Sequence, residues 1–163
     1  MESCKLLIKN KNFLKILCVV ACILGFFNLY GTILNELLTR YKYTEQDTSL
    51  IGSAANFIAL FGVFGISILI DKYKKYKLSF IILNILALLS HLFFCLELEL
   101  MEKNFILVLI VWSFTSCFSL PIYTCSMDYV CEITYPVGET ISGGILMAAT
   151  QFSGIISVNL FRF

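Results

Sequence analysis

Residues 78–96 read LSFIILNILALLSHLFFCL and carry no charge, with Lys77 before them and Glu97 after. A helix needs about 20 predominantly apolar residues to cross the hydrocarbon core of a bilayer, and this stretch is of that length. Outward from it the pattern recurs. Residues 16–35, 48–70, 104–127 and 140–161 are likewise uncharged, and almost all charges are swept into the joints between them. The chain reads as an all-α membrane protein with five transmembrane helices at about 14–38, 48–70, 78–97, 104–127 and 140–162, one transmembrane unit over residues 1–163. The lipid bilayer is its first partner.

Composition agrees. Hydrophobic residues make up 59% and charged residues 14% of the chain, with a mean hydropathy of +0.87; a soluble domain carries about 25% charge. The net charge of +1 leaves no basic footprint, and no nucleic-acid partner is expected. Six of the seven cysteines (Cys18, Cys22, Cys95, Cys117, Cys125, Cys131) lie in or beside apolar spans, with no paired C-x-x-C and a single histidine. They read as small core residues rather than zinc ligands; no metal and no cofactor is expected. Lys5, Lys9, Lys11 and Lys15 precede the first apolar run, which is longer than a signal-peptide core and has no small-residue cleavage site after it. It reads as a retained span.

Basic residues set the orientation. Lys5, Lys9, Lys11, Lys15 and the group Lys72, Lys74, Lys75, Lys77 mark one side as cytoplasmic; Arg40, Lys42, Lys103 and Arg162 are all that the other side holds, beside Glu45, Asp47, Glu97, Glu99 and Glu102. Spans one, three and five then run outward, and two and four inward. The joint after span four breaks the pattern, with Asp128, Glu132 and Glu139 and no base. Acids contribute little to the rule, so the topology stands.

Polar and small residues inside the spans are the candidates for function. Leu24, Asn28, Gly31 and Asn35 form a stripe in span one, with Tyr30 beside it; Gly52, Ala55, Ala59 and Gly62 form another in span two. Small residues at this spacing let helix backbones approach closely, and amides at depth must face protein or a cavity. Asn84 and His91 share a face of span three; His91 reads either as a proton-coupling imidazole or as a hydrogen-bond partner for a neighbouring helix. Span four holds Pro121. Span five opens with Ser142, Gly143 and Gly144 and continues to Ala148 and Gln151, an amide that needs a neighbouring helix, a watery cavity or a substrate. There is no catalytic triad arrangement, H-E-x-x-H, P-loop or G-x-G-x-x-G, and every acid sits at a span end or in a joint. An enzyme is not expected.

Two segments resemble a known family. Ile70-Asp71-Lys72-Tyr73-Lys74-Lys75-Tyr76-Lys77 is similar to the basic loop that major facilitator superfamily transporters place between the second and third helix of each half, with Ser67 where glycine is usual. Glu132-Ile133-Thr134-Tyr135-Pro136-Val137-Gly138-Glu139, then Ser142, Gly144, Leu146, Ala148 and Gln151, resembles the E-x-T-Y-P-x-x-E-G signature and small-residue helix of the feline leukaemia virus subgroup C receptor-related (FLVCR) family, with Thr140 in place of the glycine. Gly31-Thr32-Ile33-Leu34-Asn35 is similar to that family's S-T-L-L-N run. The resemblance covers roughly residues 25–157.

It implies a major facilitator C-terminal half, truncated, whose spans look like helices seven to eleven of twelve, with a six-helix N-terminal half missing. It implies alternating-access transport of a small molecule: choline or ethanolamine, or alternatively haem on the same scaffold, or else a fragment that does not transport. It implies substrate contacts at Gln151, and at Tyr30 or Asn28, since an organic cation suits an aromatic surface with an amide beside it. Asp71, Glu132 and Glu139 become conformational gating residues. Glu132 and Glu139 read either as a brace to basic groups of the other half or as a solvated acidic joint. The plasma membrane is the family's default location.

Overall fold

Caps and breakers in the joints divide the apolar chain into six helices. The computed structural model describes residues 2–100 and 104–162: α1 (Glu2–Lys9), α2 (Lys11–Arg40), α3 (Glu45–Tyr73), α4 (Tyr76–Leu100), α5 (Phe105–Thr134) and α6 (Glu139–Arg162). Glu102 and Lys103, and the side chains of Lys5 and Arg162, used above for orientation, lie outside the described residues. The five long helices are each apolar and long enough to cross a membrane. Among the described residues there is no strand.

Local chemistry explains the boundaries. Asn10 caps α2: its Oδ1 accepts from the backbone N–H of Asn12 and Phe13 at 3.1 and 3.2 Å. Its Nδ2 donates to the Ile133 carbonyl at 3.1 Å, tying the start of α2 to the end of α5. Thr44 and Asp47 form a reciprocal capping box at α3, which satisfies two otherwise orphaned donors. Asn104 Oδ1 accepts from the Leu107 N–H at 3.3 Å and starts α5.

Two joints are shorter than the sequence suggested. The basic 70–77 segment is mostly helix, with only Lys74 and Lys75 between α3 and α4; Lys74 closes α3 in the left-handed region, φ 49°. The acidic 128–139 segment is also mostly helix. α5 continues to Thr134 because its last turns pack: Val130 and Thr134 are buried and Thr134 Oγ1 donates to the Val130 carbonyl at 2.8 Å. Residues 135–138 make the turn, with a cis bond between Tyr135 and Pro136.

α5 is the central helix. It packs along α3 on one side and α4 on another, and also meets α2 and α6. Half of its most apolar window is buried, against 17% for α3. Buried Ser113, Thr115, Ser116 and Ser119 keep its surface small, which is how membrane helices gain close packing without a hydrophobic drive. Pro121 has no N–H, so the Cys117 carbonyl four residues back loses its helical donor. α3 crosses at that turn: a Cβ on Gly62 would lie 2.7 Å from the same oxygen.

α2 and α6 form the second long pairing. There Gly25 meets Ser153, whose Cβ would be 2.9 Å from an added Cβ, and Gly154 meets Asn28, with 3.1 Å to Asn28 Cβ. The two pairings correspond. Exchanging α2 with α5 and α3 with α6 maps the α3–α5 pairing onto α6–α2, and α2–α3 onto α5–α6. On the expected topology the exchange inverts direction, as in transporters built from inverted repeats.

Candidate functional site

The exposed surface has two chemistries. On α4 it is apolar: Ile81, Ile85, Leu88, Leu89, Leu92 and Leu96 all stand outward, a face suited to lipid. On α2 and α6 it includes Gly31, Thr32 and Asn35, then Gly144, Ala148, Gln151 and Asn159. Small and polar residues at membrane depth mark a face that meets protein or water.

A cavity of about 230 Å³ lies on that second face, beside the glycine crossing of α2 and α6. Asn28 and Thr32 line it from α2, and Gln151, Ile155, Val158 and Asn159 from α6. Its lining is uncharged. Asn28 is held from beneath: Tyr123 of α5 donates its O–H to Asn28 Oδ1 at 3.2 Å. Asn28 Nδ2 is buried with no hydrogen-bond partner, pressed against Gly154. Thr32 Oγ1 donates to the Asn28 carbonyl at 2.7 Å, and Asn159 Nδ2 to the Ile155 carbonyl at 2.8 Å. Each thereby keeps an oxygen with lone pairs to spare. Gln151 is exposed in the groove. Chemically this is a neutral polar groove that offers amides and a hydroxyl.

The structure thus brings Asn28 and Gln151 together and places Tyr30 elsewhere. Tyr30 faces α4, with its hydroxyl 3.0 Å from Cys95 Sγ. Its ring lies 5.8 Å from His91 and 5.8 Å from Phe94, in a nest that Phe27 and Trp112 complete. His91 contributes its ring to this nest, and its Nδ1 is 2.7 Å from the Ala87 carbonyl of its own helix. Asn84 Nδ2 likewise donates to Phe80 O at 2.6 Å. Among the described residues His91 does not make the hydrogen bond to a neighbouring helix that one sequence reading expected; like Asn84, it bonds one turn back instead.

The three gating candidates also separate. Asp71 in the last turn of α3, Asp128 of α5 and Glu139 at the start of α6 lie close enough for the charges of Asp71 and Glu139 to act on Asp128. Glu132 lies instead in a groove with Lys74, Lys75 and Lys77 of the α3–α4 joint. All three gating candidates are exposed.

Sequence reasoning did not single out Thr32 and Asn159, which line this groove, or Tyr123, which holds Asn28. Thr32 and Asn159 carried a signal, since they continue the faces of Asn28 and Gln151 at i+4 and i+8. Tyr123 carried none: α5 is buried on so many sides that its polar residues mark no single face.

A bundle of membrane-length helices with a polar groove between its first and last spans defines a polytopic integral membrane protein. No protein-family model matches the chain. It is 30% identical over 95% of its length to the choline/ethanolamine transporter FLVCR1 of Felis catus, and 26% identical over 92% to FLVCR2 of Rattus norvegicus. It is also 26% identical over 96% of its length to solute carrier family 49 member A3 of Xenopus tropicalis. The chain is thus similar along nearly its whole length to a part of FLVCR-type transporters, and it is 26% identical over 91% of its length to an MFS-type transporter of Caenorhabditis elegans. It spans 28%, 27% and 32% of the first three relatives' lengths.

Proposed function

We propose that these helices are helices seven to eleven of a facilitator's C-terminal half, and that they form one wall of an alternating-access path for a small organic solute. The observation that carries the reading is the meeting of Asn28 and Gln151 across the α2–α6 crossing, in one uncharged groove. Substrate sites of this architecture lie between the two halves near the midplane, and the polar faces of α2 and α6 are suited to that position. The proposed substrate is a choline- or ethanolamine-type cation. Its hydroxyl would bond Gln151 or Asn28, and the other half would supply the aromatic surface for its ammonium group. Asp71 and Glu139 serve as the cytoplasmic gate, and the plasma membrane is the proposed location.

The test is a graft of residues 11–162 into the matching segment of the cat FLVCR1 protein, with choline uptake and ethanolamine competition measured in cells. Saturable uptake is expected. Gln151→Ala should lower its efficiency about tenfold, the worth of one good hydrogen bond. Normal uptake by that variant sinks the assignment of Gln151; haem efflux without choline uptake would transfer the reading to haem.

A further inference from the structure

We propose that the groove between the α3–α4 joint and the cytoplasmic end of α5 binds the headgroup of an anionic phospholipid. The groove has a volume of about 650 Å³ and is lined by Lys74, Lys75, Lys77, Tyr76, Tyr129 and Glu132, among others. Both lysines of the two-residue joint, Lys74 and Lys75, and Lys77 from the first turn of α4 line it, against one carboxylate, Glu132. An anionic phosphate fits that balance.

Two further observations bear on the ligand. Lys74 adopts φ 49°, a backbone conformation that favours glycine or asparagine. The lysine at that position lines the groove. The groove also continues along Leu78 and Ile81, and these, with Ile82 and Ile85 on the following turn, are each about half exposed. A headgroup among the lysines would have its acyl chains beside the lipid-facing surface of α4. That continuity selects a phospholipid over a free phosphate. The lysines mark this side as cytoplasmic, where anionic lipids concentrate. Glu132 opposes the ligand and sets its affinity. The proposal does not depend on the transport reading.

The test uses the full chain in mild detergent, with retained lipids counted by native mass spectrometry. Phosphatidylinositol 4-phosphate is compared with phosphatidylcholine of the same acyl chains and with the soluble inositol bisphosphate headgroup. Preferential retention of the anionic lipid is expected. Each of Lys74→Gln, Lys75→Gln and Lys77→Gln should weaken it about fivefold. Glu132→Gln should strengthen it, and a triple Lys→Arg variant should retain it. Helicity measured by circular dichroism shows that each variant is folded. Three results each overturn the proposal: an equal loss from Lys9→Gln, Lys11→Gln and Lys15→Gln combined, which would make the effect general surface charge; retention unchanged by Glu132→Gln; or soluble headgroup binding as tight as the lipid's.

Discussion

Asn10 and Asn28 use the same amide in opposite ways. Asn10 spends both ends on the fold: its oxygen caps α2 and its nitrogen reaches the Ile133 carbonyl. Removing that side chain in Asn10→Ala should cost about 1–2 kcal/mol, the value of an N-cap with an interhelical bond beside it. Unfolding of the detergent-solubilised chain by SDS titration measures it; a loss of a few tenths would show that the Ile133 contact contributes little. Asn28 has only its oxygen satisfied, by Tyr123, while its buried nitrogen has no partner. A buried donor left unmade costs about 1–3 kcal/mol, so Asn28 is kept at a cost to stability. Tyr123→Phe should lower stability by only about 0.6 kcal/mol, the average for an interhelical bond in a membrane bundle. In the grafted transporter it should weaken choline uptake by more than that energy converts to, because the Asn28 amide is then free to turn. If uptake falls no further than stability predicts, Tyr123 has no positioning role.

At the scale of helices, the informative residues are the ones with nothing to offer but the absence of a side chain. Gly62 lies against the carbonyl that Pro121 frees, and Gly154 against Asn28. Gly62→Ala places a methyl on a backbone oxygen, which cannot rotate away. It should cost about 1–3 kcal/mol, the range for overpacking. Gly65→Ala on the same helix has nothing within 4 Å and should be neutral or slightly stabilising. Thermal unfolding in detergent separates the two, and equal effects would refute the α3–α5 crossing. The stripe Gly52, Ala55, Ala59, Gly62 was legible in the sequence because small residues three and four apart line one helix face, where they let another helix approach closely. The five spans were legible because hydrocarbon thickness dictates their length. That Asn28 and Gln151 face a cavity was legible for a related reason, since an amide at depth must meet protein or water. The direction of Tyr30 was legible too: residues two apart on a helix do not share a face, so the stripe through Asn28 and Asn35 turns Tyr30 away from the groove, toward α4. The joint lengths were not legible, because charges end an apolar run without ending a helix, and α5 keeps its turns through Asp128 and Glu132.

The whole molecule is organised by two equivalent helix pairings, α3–α5 and α2–α6, around the α2–α5 contact. Each crosses at a glycine, where the two backbones approach closely. Motion in such a bundle is better carried by movement of the whole bundle against a second body than by bending within it. The polar groove agrees: its walls are α2 and α6, and the exposed faces of those helices, Asn35 and Gln151 among them, remain uncovered by this chain. On the proposed reading, closing the groove requires a second surface to meet them, and the relatives that match here are about three times as long or more. The 163-residue chain, reconstituted alone in choline-loaded or choline-free vesicles, should therefore show no saturable choline flux. Co-reconstitution with the N-terminal half of the cat FLVCR1 protein should restore a flux that Gln151→Ala abolishes. Saturable flux from the chain alone, at protein densities low enough to keep one copy per vesicle, would mean that the groove is a complete site and that the half-wall reading is wrong. The same flux appearing only at higher densities would mean that a second copy of the chain supplies the opposing wall.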